Sequence, residues 1–353
     1  MRRLLLSSTA LALLLVCVPA HAQNPAQNPV YDLFRDYLDS LRAQAGIPGL
    51  AAAIVDSDGI VWQHAYGRQD LTRNVSTRTD TPFHAGGLTE MFTATMVLRC
   101  VEEHRLSLDD RVGKFRPNSA EPNSTIRQLL THTDDNQTFA YRPERLEPLW
   151  VAVRACTDNS YRETLATLLE RVAMVDSVPG TDVVNLTPPA EGIPDPAEAD
   201  QYASVLQRLA TPYAVDSKGR ASASQYSMST LTPSSGLIST VYDLAKFDLA
   251  LRQGLFIRRE TLDAAWRAPV GPGNQPLPHG LGWFVQPYNA ESIAWQFGLD
   301  ESAGSALMIT LPARGVTLIL MANSDRLVKP LPLAAGDITL SPFARLFLNL
   351  FAR

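Results

Sequence analysis

The sequence has few cysteines, and this shortage limits how the chain can be cross-linked. Its 353 residues include 3 cysteines, Cys17, Cys100 and Cys156. These are too few for the disulfide framework of a small secreted domain. Cys100 and Cys156 lie in apolar stretches that are typical of helices, which favours two buried thiols. A single bridge between them stays open as an alternative, because an oxidising compartment permits one.

Positive charge and histidine are also scarce. The chain has 31 Lys and Arg against 36 Asp and Glu, a formal net charge of -5, and 6 His. This acidic balance argues against a nucleic acid or an anionic membrane surface as partner. Neither H-E-x-x-H nor a comparable metal-ligand spacing occurs, so Glu90, Asp134 and Asp135 are expected to be solvated or capping groups. We therefore expect no metal and no cofactor.

The N-terminus has the parts of a secretory signal peptide. In MRRLLLSSTALALLLVCVPAHAQ, two arginines precede an apolar run, and Ala20-His21-Ala22 has the small-x-small pattern of a cleavage site. An uncleaved membrane anchor is disfavoured because polar residues at positions 7–9 interrupt the run. We predict a signal peptide at 1–22, a linker at 23–29 and one domain at 30–353. The mature protein is then exported to the periplasm or secreted, and has no membrane span.

The order of predicted elements indicates an α+β fold. A helix, a hairpin and a buried helix come first, short helices and loops fill the middle, and strands and a closing helix come last. The ranges are 30–46 for the first helix, 49–67 for the hairpin, 91–101 for the buried helix, 118–250 for the middle, 280–323 for the strands and 341–353 for the last helix. The predicted antiparallel sheet is assembled from both chain ends and flanked by helices.

Five segments resemble, in order and spacing, the serine β-lactamase-related hydrolases. They are IPGLAAAIVDSDGIVWQHAYGRQDL, TPFHAGGLTEMFTATMVLRCVEEHRLSLDDRVGKF, STIRQLLTHT, SGLISTVYDLAKF and LPARGVTLILMANSD, and they span about Leu41 to Asp325. That family includes class C β-lactamases, D-alanyl-D-alanine carboxypeptidases of the penicillin-binding type, esterases and amidases. The resemblance implies a β-lactamase/penicillin-binding-protein-like fold, with an all-helical lobe inserted at roughly 90–250 and a site in the cleft between the lobes.

The first catalytic motif of that family is altered at both of its chemical positions. The family uses S-x-x-K at the start of a buried helix, because residues three apart share a helix face and the lysine can activate the serine. The matching residues here are Gly87-Leu88-Thr89-Glu90. The serine position has no side chain, and the lysine position has the opposite charge. Loss of a nucleophile that acts together with its base costs about a million-fold in rate.

Of the reactive side chains in the family's second and third motifs, this sequence keeps only the tyrosine. Tyr141-Arg142-Pro143 matches Y-x-N, so the tyrosine is kept while a proline replaces the asparagine amide. Gln296-Phe297-Gly298 matches K-T-G or H-x-G, so a neutral amide replaces the cation. Tyr141 also has an ordinary interpretation, as a packing residue at the cleft edge.

Some binding features of the family remain in the sequence. We expect the backbone amides of Gly87 and Leu299 to form a pair like an oxyanion hole, and Gly298 to let a ligand approach the strand. Arg142 is the expected cationic partner of a buried Glu90 and a ligand contact, because an unpaired buried carboxylate is costly. The alternatives are that hydrogen-bond donors stabilise Glu90 or that its pKa is raised.

Other polar residues near the motifs have simpler interpretations. His84 is expected to be a structural hydrogen-bonding residue, Thr89 points away from the Gly87 face, and His132 shapes the cleft floor. Ser234 and Ser235 are expected to form a turn.

Three functional hypotheses follow. The leading one is a catalytically inactive relative that binds a peptide-like or acyl small molecule in its old cleft. The second is an active hydrolase with a relocated nucleophile or a water-based mechanism. The third is a structural or protein-binding domain whose cleft has filled.

Overall fold

The computed structural model of the protein describes residues 29–227 and 230–352. The predicted signal peptide and nearly all of the predicted linker lie outside these described residues. The helices are α1 (Pro29–Gln44), α2 (Thr89–Glu102), α3 (Ile126–Leu130), α4 (Leu149–Thr157), α5 (Tyr161–Arg171), α6 (Pro196–Gln207), α7 (Val241–Arg252), α8 (Arg259–Ala265) and α9 (Pro342–Phe351). The strands are β1 (Gly49–Val55), β2 (Ile60–Asp70), β3 (Val75–Ser76), β4 (Phe83–His84), β5 (Val178–Pro179), β6 (Tyr213–Val215), β7 (Ala221–Ala223), β8 (Leu237–Ser239), β9 (Phe284–Tyr288), β10 (Glu291–Asp300), β11 (Gly304–Leu311) and β12 (Val316–Ala322).

The main sheet joins the two ends of the chain, as predicted. Its strand order is β3-β2-β1-β12-β11-β10-β9, and the strand pairs are antiparallel. The central pair is β1 with β12, in register from Leu50 opposite Ala322 to Val55 opposite Thr317. The predicted architecture, an antiparallel sheet flanked by helices, is therefore confirmed.

Both faces of this sheet are covered. Successive β1 residues point to opposite faces, so Leu50 packs with the cluster that contains α1 and α9, while Ala51 packs with the cluster that contains α2 and α7. Every residue of β1 is buried. The inserted part of the chain thus lies on the opposite face from the two terminal helices, and the core has two layers.

The inserted region contains short strands as well as helices. β4, β8 and β5 form a small sheet, and β6 pairs with β7. The sequence indicated only helices and loops here, because strands of two or three residues are too short to show an alternating pattern. The small sheet is relevant to the site, since β4 leads directly into the segment that precedes α2.

A disulfide joins Cys100 in α2 to Cys156 in α4, with their Cα atoms 6.1 Å apart. The expectation of two free buried thiols is therefore wrong, and the alternative of one bridge is right. The apolar pattern around each cysteine predicted burial. It contained no information on whether these two helix faces meet, because the residues are 56 positions apart.

No helix within the described ranges combines the length and the apolar character needed to cross a membrane.

Candidate functional site

Gly87 lies at the start of the buried helix, as the first motif predicts. Residues Gly86–Leu88 form one turn of 3₁₀-helix, and α2 follows at Thr89. Gly86 has φ of 53°, a left-handed conformation that suits glycine. The Thr89 hydroxyl donates a 2.7 Å hydrogen bond to the Gly86 carbonyl, so Thr89 holds this turn and points away from the cleft, as expected.

Strand β10 closes tightly against this turn. Its pairing with β9 ends at Trp295, and the next residues of β10 lie against the turn instead. A Cβ atom on Gly87 would lie 2.5 Å from the Phe297 carbonyl oxygen and 3.2 Å from the Tyr141 hydroxyl. A Cβ on Gly298 would lie 2.0 Å from the Ala85 carbonyl oxygen. Backbone therefore fills the space that a serine side chain at position 87 would need.

Glu90 is fully buried and accepts hydrogen bonds at both carboxyl oxygens, so the expectation that it is a solvated or capping group is wrong. The Tyr141 hydroxyl donates to Oε1 at 2.8 Å. The Gln296 side-chain amide donates to Oε2 at 3.1 Å, and Nε2 of His132 lies 3.3 Å from the same oxygen. The three motif positions Glu90, Tyr141 and Gln296 thus come together from distant parts of the chain, and His132 joins them.

The protonation of this cluster is controlled by burial. Burial raises the pKa of the Glu90 carboxyl to about 7, while hydrogen bonds from Tyr141 and Gln296 oppose the rise. Burial lowers the pKa of His132 to about 3. In the Glu90–His132 contact a neutral imidazole therefore donates a hydrogen bond to the carboxyl group at neutral pH, and the contact is not an ion pair. The pKa of the Tyr141 hydroxyl is raised, by burial first and by Glu90 second.

Arg142 is not the partner of Glu90, which corrects the sequence prediction. Its side chain is 48% exposed and lies 3.6 Å from Glu121. Its backbone N–H, by contrast, points inward and donates to Nδ1 of His132 at 3.3 Å. Neutral donors stabilise Glu90 instead, so no buried cation is needed. The predicted role of Arg142 as a ligand contact stays a prediction, although its side chain is directed at Glu121.

Gln296 and Gly298 differ from the expectation that they face the cleft. Gln296 is fully buried, and its carbonyl oxygen accepts from the Phe297 backbone N–H at 2.9 Å while its amide nitrogen donates to Glu90. The bare Cα of Gly298 faces the Ala85 carbonyl, so the close approach there is made by the chain's own backbone. Both residues therefore make their contacts with the interior of the protein and do not face the cleft.

His279 is a member of this cluster that the sequence did not reveal. It is fully buried, its ring centroid lies 4.7 Å from that of His132, and burial lowers its pKa to about 3. It lies outside the three family motifs, and its only sequence signal is that it precedes the Gly280-Leu281-Gly282 turn into the sheet.

Glu90, His132 and His279 bring three possible metal-ligand atoms within 4.8 Å of one another. Nδ1 of His279 lies 2.9 Å from the Gly280 carbonyl, which leaves an unprotonated Nε2 of the kind that binds zinc. His132 has the opposite arrangement, because its Nδ1 accepts the Arg142 amide and its Nε2 therefore carries the proton. Both Glu90 oxygens already accept hydrogen bonds. Glu90 and His132 are thus held by hydrogen bonds, while Nε2 of His279 is buried and has no hydrogen-bond partner among the described residues.

An open cavity of about 640 Å³ lies above the buried cluster. It is lined by Gly87, Tyr141, Pro143, Glu144, Glu147, Thr232, Ser234, Ser235, Phe297 and Leu299. Gly87, Tyr141 and Pro143, which stand at family motif positions, therefore reach the cavity, and Leu299 lies on its wall as the sequence suggests. Ser234 and Ser235 belong to this wall, although the sequence indicated only a turn.

The remaining sequence candidates lie in structural positions. His84 packs against Tyr226 and has its Nδ1 3.9 Å from an Asp300 carboxyl oxygen. Asp134 accepts backbone amides of the turn that follows it, and Asp135 accepts from Gln128. These contacts support the structural interpretation that the sequence favoured for them.

Comparisons with known proteins agree with this fold. The chain is 32% identical over 106 residues to penicillin-binding protein 4 of Amycolatopsis lactamdurans, a match that spans 28% of each chain. Its fold is similar to the octameric penicillin-binding protein homologue from Pyrococcus abyssi, with a TM-score of 0.72 and 19% identity over 90% of this chain and 77% of that one. It is also similar to D-amino acid amidase from Ochrobactrum anthropi SV3, with a TM-score of 0.70 and 16% identity over 92% and 99% of the two chains. The Beta-lactamase family matches residues 34–340, and the chain therefore belongs to the Beta-lactamase family.

Proposed function

We propose that this protein is an exported member of the Beta-lactamase family that forms no acyl-serine and binds a peptide-like or acyl small molecule in its cleft. The observation that carries this proposal is the contact between Gly87 and β10. Position 87 has no side chain, and the Phe297 carbonyl oxygen would lie only 2.5 Å from any Cβ placed there.

The base of the family mechanism is absent as well. Glu90 stands at the lysine position, and its carboxyl group is engaged by Tyr141, Gln296 and His132. A carboxylate at this place would repel a developing oxyanion rather than stabilise it. Pro143, at the asparagine position of the second motif, has no amide with which to orient a ligand. Three separate parts of the acyl-transfer machinery are thus missing.

Binding is supported by the features that remain. The cavity is open, and Gly87 and Leu299 both line it. The N–H of Gly87 belongs to the first turn of a helix, where amides have no acceptor within the helix. One structure of similar fold is D-amino acid amidase complexed with L-phenylalanine amide, a small acyl compound. A small amide is therefore a reasonable first ligand for the cleft.

Export is supported by two independent observations. The segment before residue 23 has the charge, apolar run and cleavage pattern of a signal peptide. The Cys100–Cys156 disulfide is of a kind that persists in oxidising compartments and is rare in the cytosol.

A second candidate is a hydrolase that uses Tyr141, and one observation favours it. The Tyr141 hydroxyl lies 3.2 Å from the place of a Cβ on Gly87, and it donates to Glu90 as a nucleophile donates to its base. In such a reaction the Tyr141 oxygen would bond to the acyl carbon, its proton would pass to Glu90, and the leaving group would take that proton. The raised pKa of Tyr141 opposes this step, because the neutral hydroxyl is a poor nucleophile.

Binding can be tested with a neutral small amide. We expect N-acetyl-L-phenylalaninamide to shift the NMR signals of Gly87, Leu299 and other cavity residues in a saturable way. The variant Ser234→Trp places a large side chain on the cavity wall and should remove those shifts while the protein keeps its unfolding temperature. Equal shifts in both proteins, or none in either, would argue against a binding cleft.

A further inference from the structure

The walls of the cleft cavity carry negative charge. Glu144 and Glu147 line the cavity, and the described residues that line it include no lysine, arginine or histidine. Glu147 pairs with Arg116 at 2.6 Å, and both side chains are partly exposed, so this pair is weak. Glu144 forms no ion pair within residues 29–227 and 230–352, and it is exposed. A ligand in the cavity therefore meets at least one uncompensated carboxylate.

Position 296, where the family resemblance places a cationic side chain, has a neutral side chain that points into the protein. Gln296 stands where the family resemblance places a lysine or histidine, and its amide is used entirely by Glu90 and the Phe297 backbone. Arg142 and Arg145, which are adjacent in sequence to residues of the cavity wall, are both directed at Glu121. The cleft thus offers no cation to a ligand carboxylate, while its wall offers carboxylates.

A neighbouring cavity is also lined by carboxylates. A second cavity of about 280 Å³ shares Glu147 and Thr232 with the first, and adds the aromatic rings of Trp150 and Tyr161 and the Glu191 carboxylate, which forms an exposed pair with Arg154. Its arginine, Arg162, pairs with Asp182 at 2.8 Å and is therefore compensated. Aromatic faces next to carboxylates attract cations, since a ring face carries negative electrostatic potential.

We propose that the ligand of this cleft is cationic, namely an amine-bearing amide or short peptide whose ammonium group lies between Glu144 and Glu147. Its apolar part packs against Tyr141, Phe297 and Leu299, which line the same cavity. The proposal rests on the proposed binding function and adds the charge of the ligand to it. A penicillin-like anion is the opposite of what these walls favour.

Three probes of nearly equal size separate charge from shape. They are L-phenylalaninamide, N-acetyl-L-phenylalaninamide and N-acetyl-L-phenylalanine, which carry charges of about +1, 0 and −1 at pH 6.5. Their dissociation constants are measured by NMR titration of the full mature protein. We expect the amine to bind about threefold more tightly than the neutral amide, and the neutral amide about threefold more tightly than the anion. The expected ratios are small because interactions between partly exposed charges are weak.

A matched pair of variants assigns the effect to the cavity wall. Glu144→Gln should reduce the preference for the amine, and Glu144→Gln with Glu147→Gln should abolish it, whereas Glu260→Gln, which changes an exposed carboxylate of α8, should leave it intact. Raising the salt concentration to about 1 M should weaken the preference in the unmodified protein, because exposed charges are screened. The preference should return when the salt is removed.

The possible outcomes separate the two proposals. Equal affinity for the three probes, or tightest binding of N-acetyl-L-phenylalanine, overturns the inference of a cationic ligand and leaves the binding cleft standing. Absence of binding for all three overturns the binding function itself. A preference for the amine that persists undiminished when both Glu144 and Glu147 are changed to Gln also contradicts the inference, because the charge would then act from elsewhere.

Discussion

The Tyr141 hydroxyl donates a 2.8 Å hydrogen bond to Oε1 of Glu90, and this contact joins the family's first and second motif positions. A carboxylate in place of the lysine turns the neighbouring tyrosine into a donor and gathers two further donors, Gln296 and His132, around itself. The altered motif residues therefore form a self-consistent buried network. They are not isolated losses from a working site.

This network predicts how stability responds to changes at Glu90. Glu90→Lys places an ammonium group among groups that already donate, so the free energy of unfolding should fall by about 3 kcal/mol or more. Glu90→Gln keeps one acceptor oxygen, which can face Gln296 and His132 while the Tyr141 hydroxyl accepts from the new amide, and it should cost about 1 kcal/mol. Urea denaturation measures both values.

The control for this comparison is Glu103→Lys at the end of the same helix. Glu103 is exposed and pairs with Arg99 on the surface, so its replacement should change stability by less than about 1 kcal/mol. An equal loss in Glu103→Lys and Glu90→Lys would mean that burial of Glu90 is not the cause.

The raised pKa of Glu90 predicts a pH dependence of definite sign. Its folded pKa of about 7 lies above the ordinary value of 4.5, so the folded protein holds the proton more tightly between these values. Glu90 therefore contributes stability that is present below about pH 4.5 and is lost as the pH rises to about 7, a change of about 3 kcal/mol. The lowered pKa values of His132 and His279 act in the opposite direction.

The difference between the unmodified protein and Glu90→Gln isolates the carboxyl group, because the histidines are common to both. The unmodified protein should lose stability relative to Glu90→Gln as the pH is raised from 4.5 to 7. A difference that does not change with pH would show that Glu90 titrates normally.

The contact between Gly87 and β10 predicts that a side chain at position 87 is destabilising. Gly87→Ala forces a Cβ into the Phe297 carbonyl, so β10 or the turn must move, at a cost of about 1–3 kcal/mol. Gly304→Ala is a matched control, since that buried glycine has its nearest atom at 3.5 Å, an ordinary contact distance. Thermal unfolding of the two variants tests this prediction, which fails if Gly87→Ala is the more stable.

The same contact argues against a simple rescue of catalysis. The double variant Gly87→Ser with Glu90→Lys would restore the serine and the lysine of the family's first motif. In the folded protein the serine would meet the Phe297 carbonyl and the lysine would face the donors of His132 and Gln296. We expect the double variant to be unstable and to remain inactive.

The disulfide predicts a clear response to reduction. The bridge closes a loop between residues 56 positions apart, and a loop of that length contributes about 4 kcal/mol through the entropy of the unfolded chain. Dithiothreitol should lower the unfolding temperature of the unmodified protein. The variant with Cys100→Ser and Cys156→Ser should start at the lower temperature and show no response to the reductant.

The sequence was informative where the structure depends on local pattern and on motif order. The hairpin around Asp56, the buried helix after Gly87 and the sheet built from both chain ends follow from periodicity and from the family resemblance. The convergence of Glu90, Tyr141 and Gln296 follows from the same motifs, because motif residues of one family meet at one place.

The rest depends on contacts across the fold, which no local pattern records. The direction of the Arg142 side chain is decided by Glu121, and the role of Gln296 is decided by Glu90. The position of His279 beside His132 follows from how the turn before β9 packs on the motif cluster. The Cys100–Cys156 bridge likewise depends on how α2 meets α4.

The most direct test of the central claim is the intact mass of the folded mature protein after incubation with a penicillin and with an activated aryl ester. We predict the unmodified mass in both cases, because Gly87 has no atom to acylate and the Phe297 carbonyl occupies the space beside it. A single acyl adduct that maps to a serine, a threonine or Tyr141, and that does not form when the protein is unfolded beforehand, would contradict the claim.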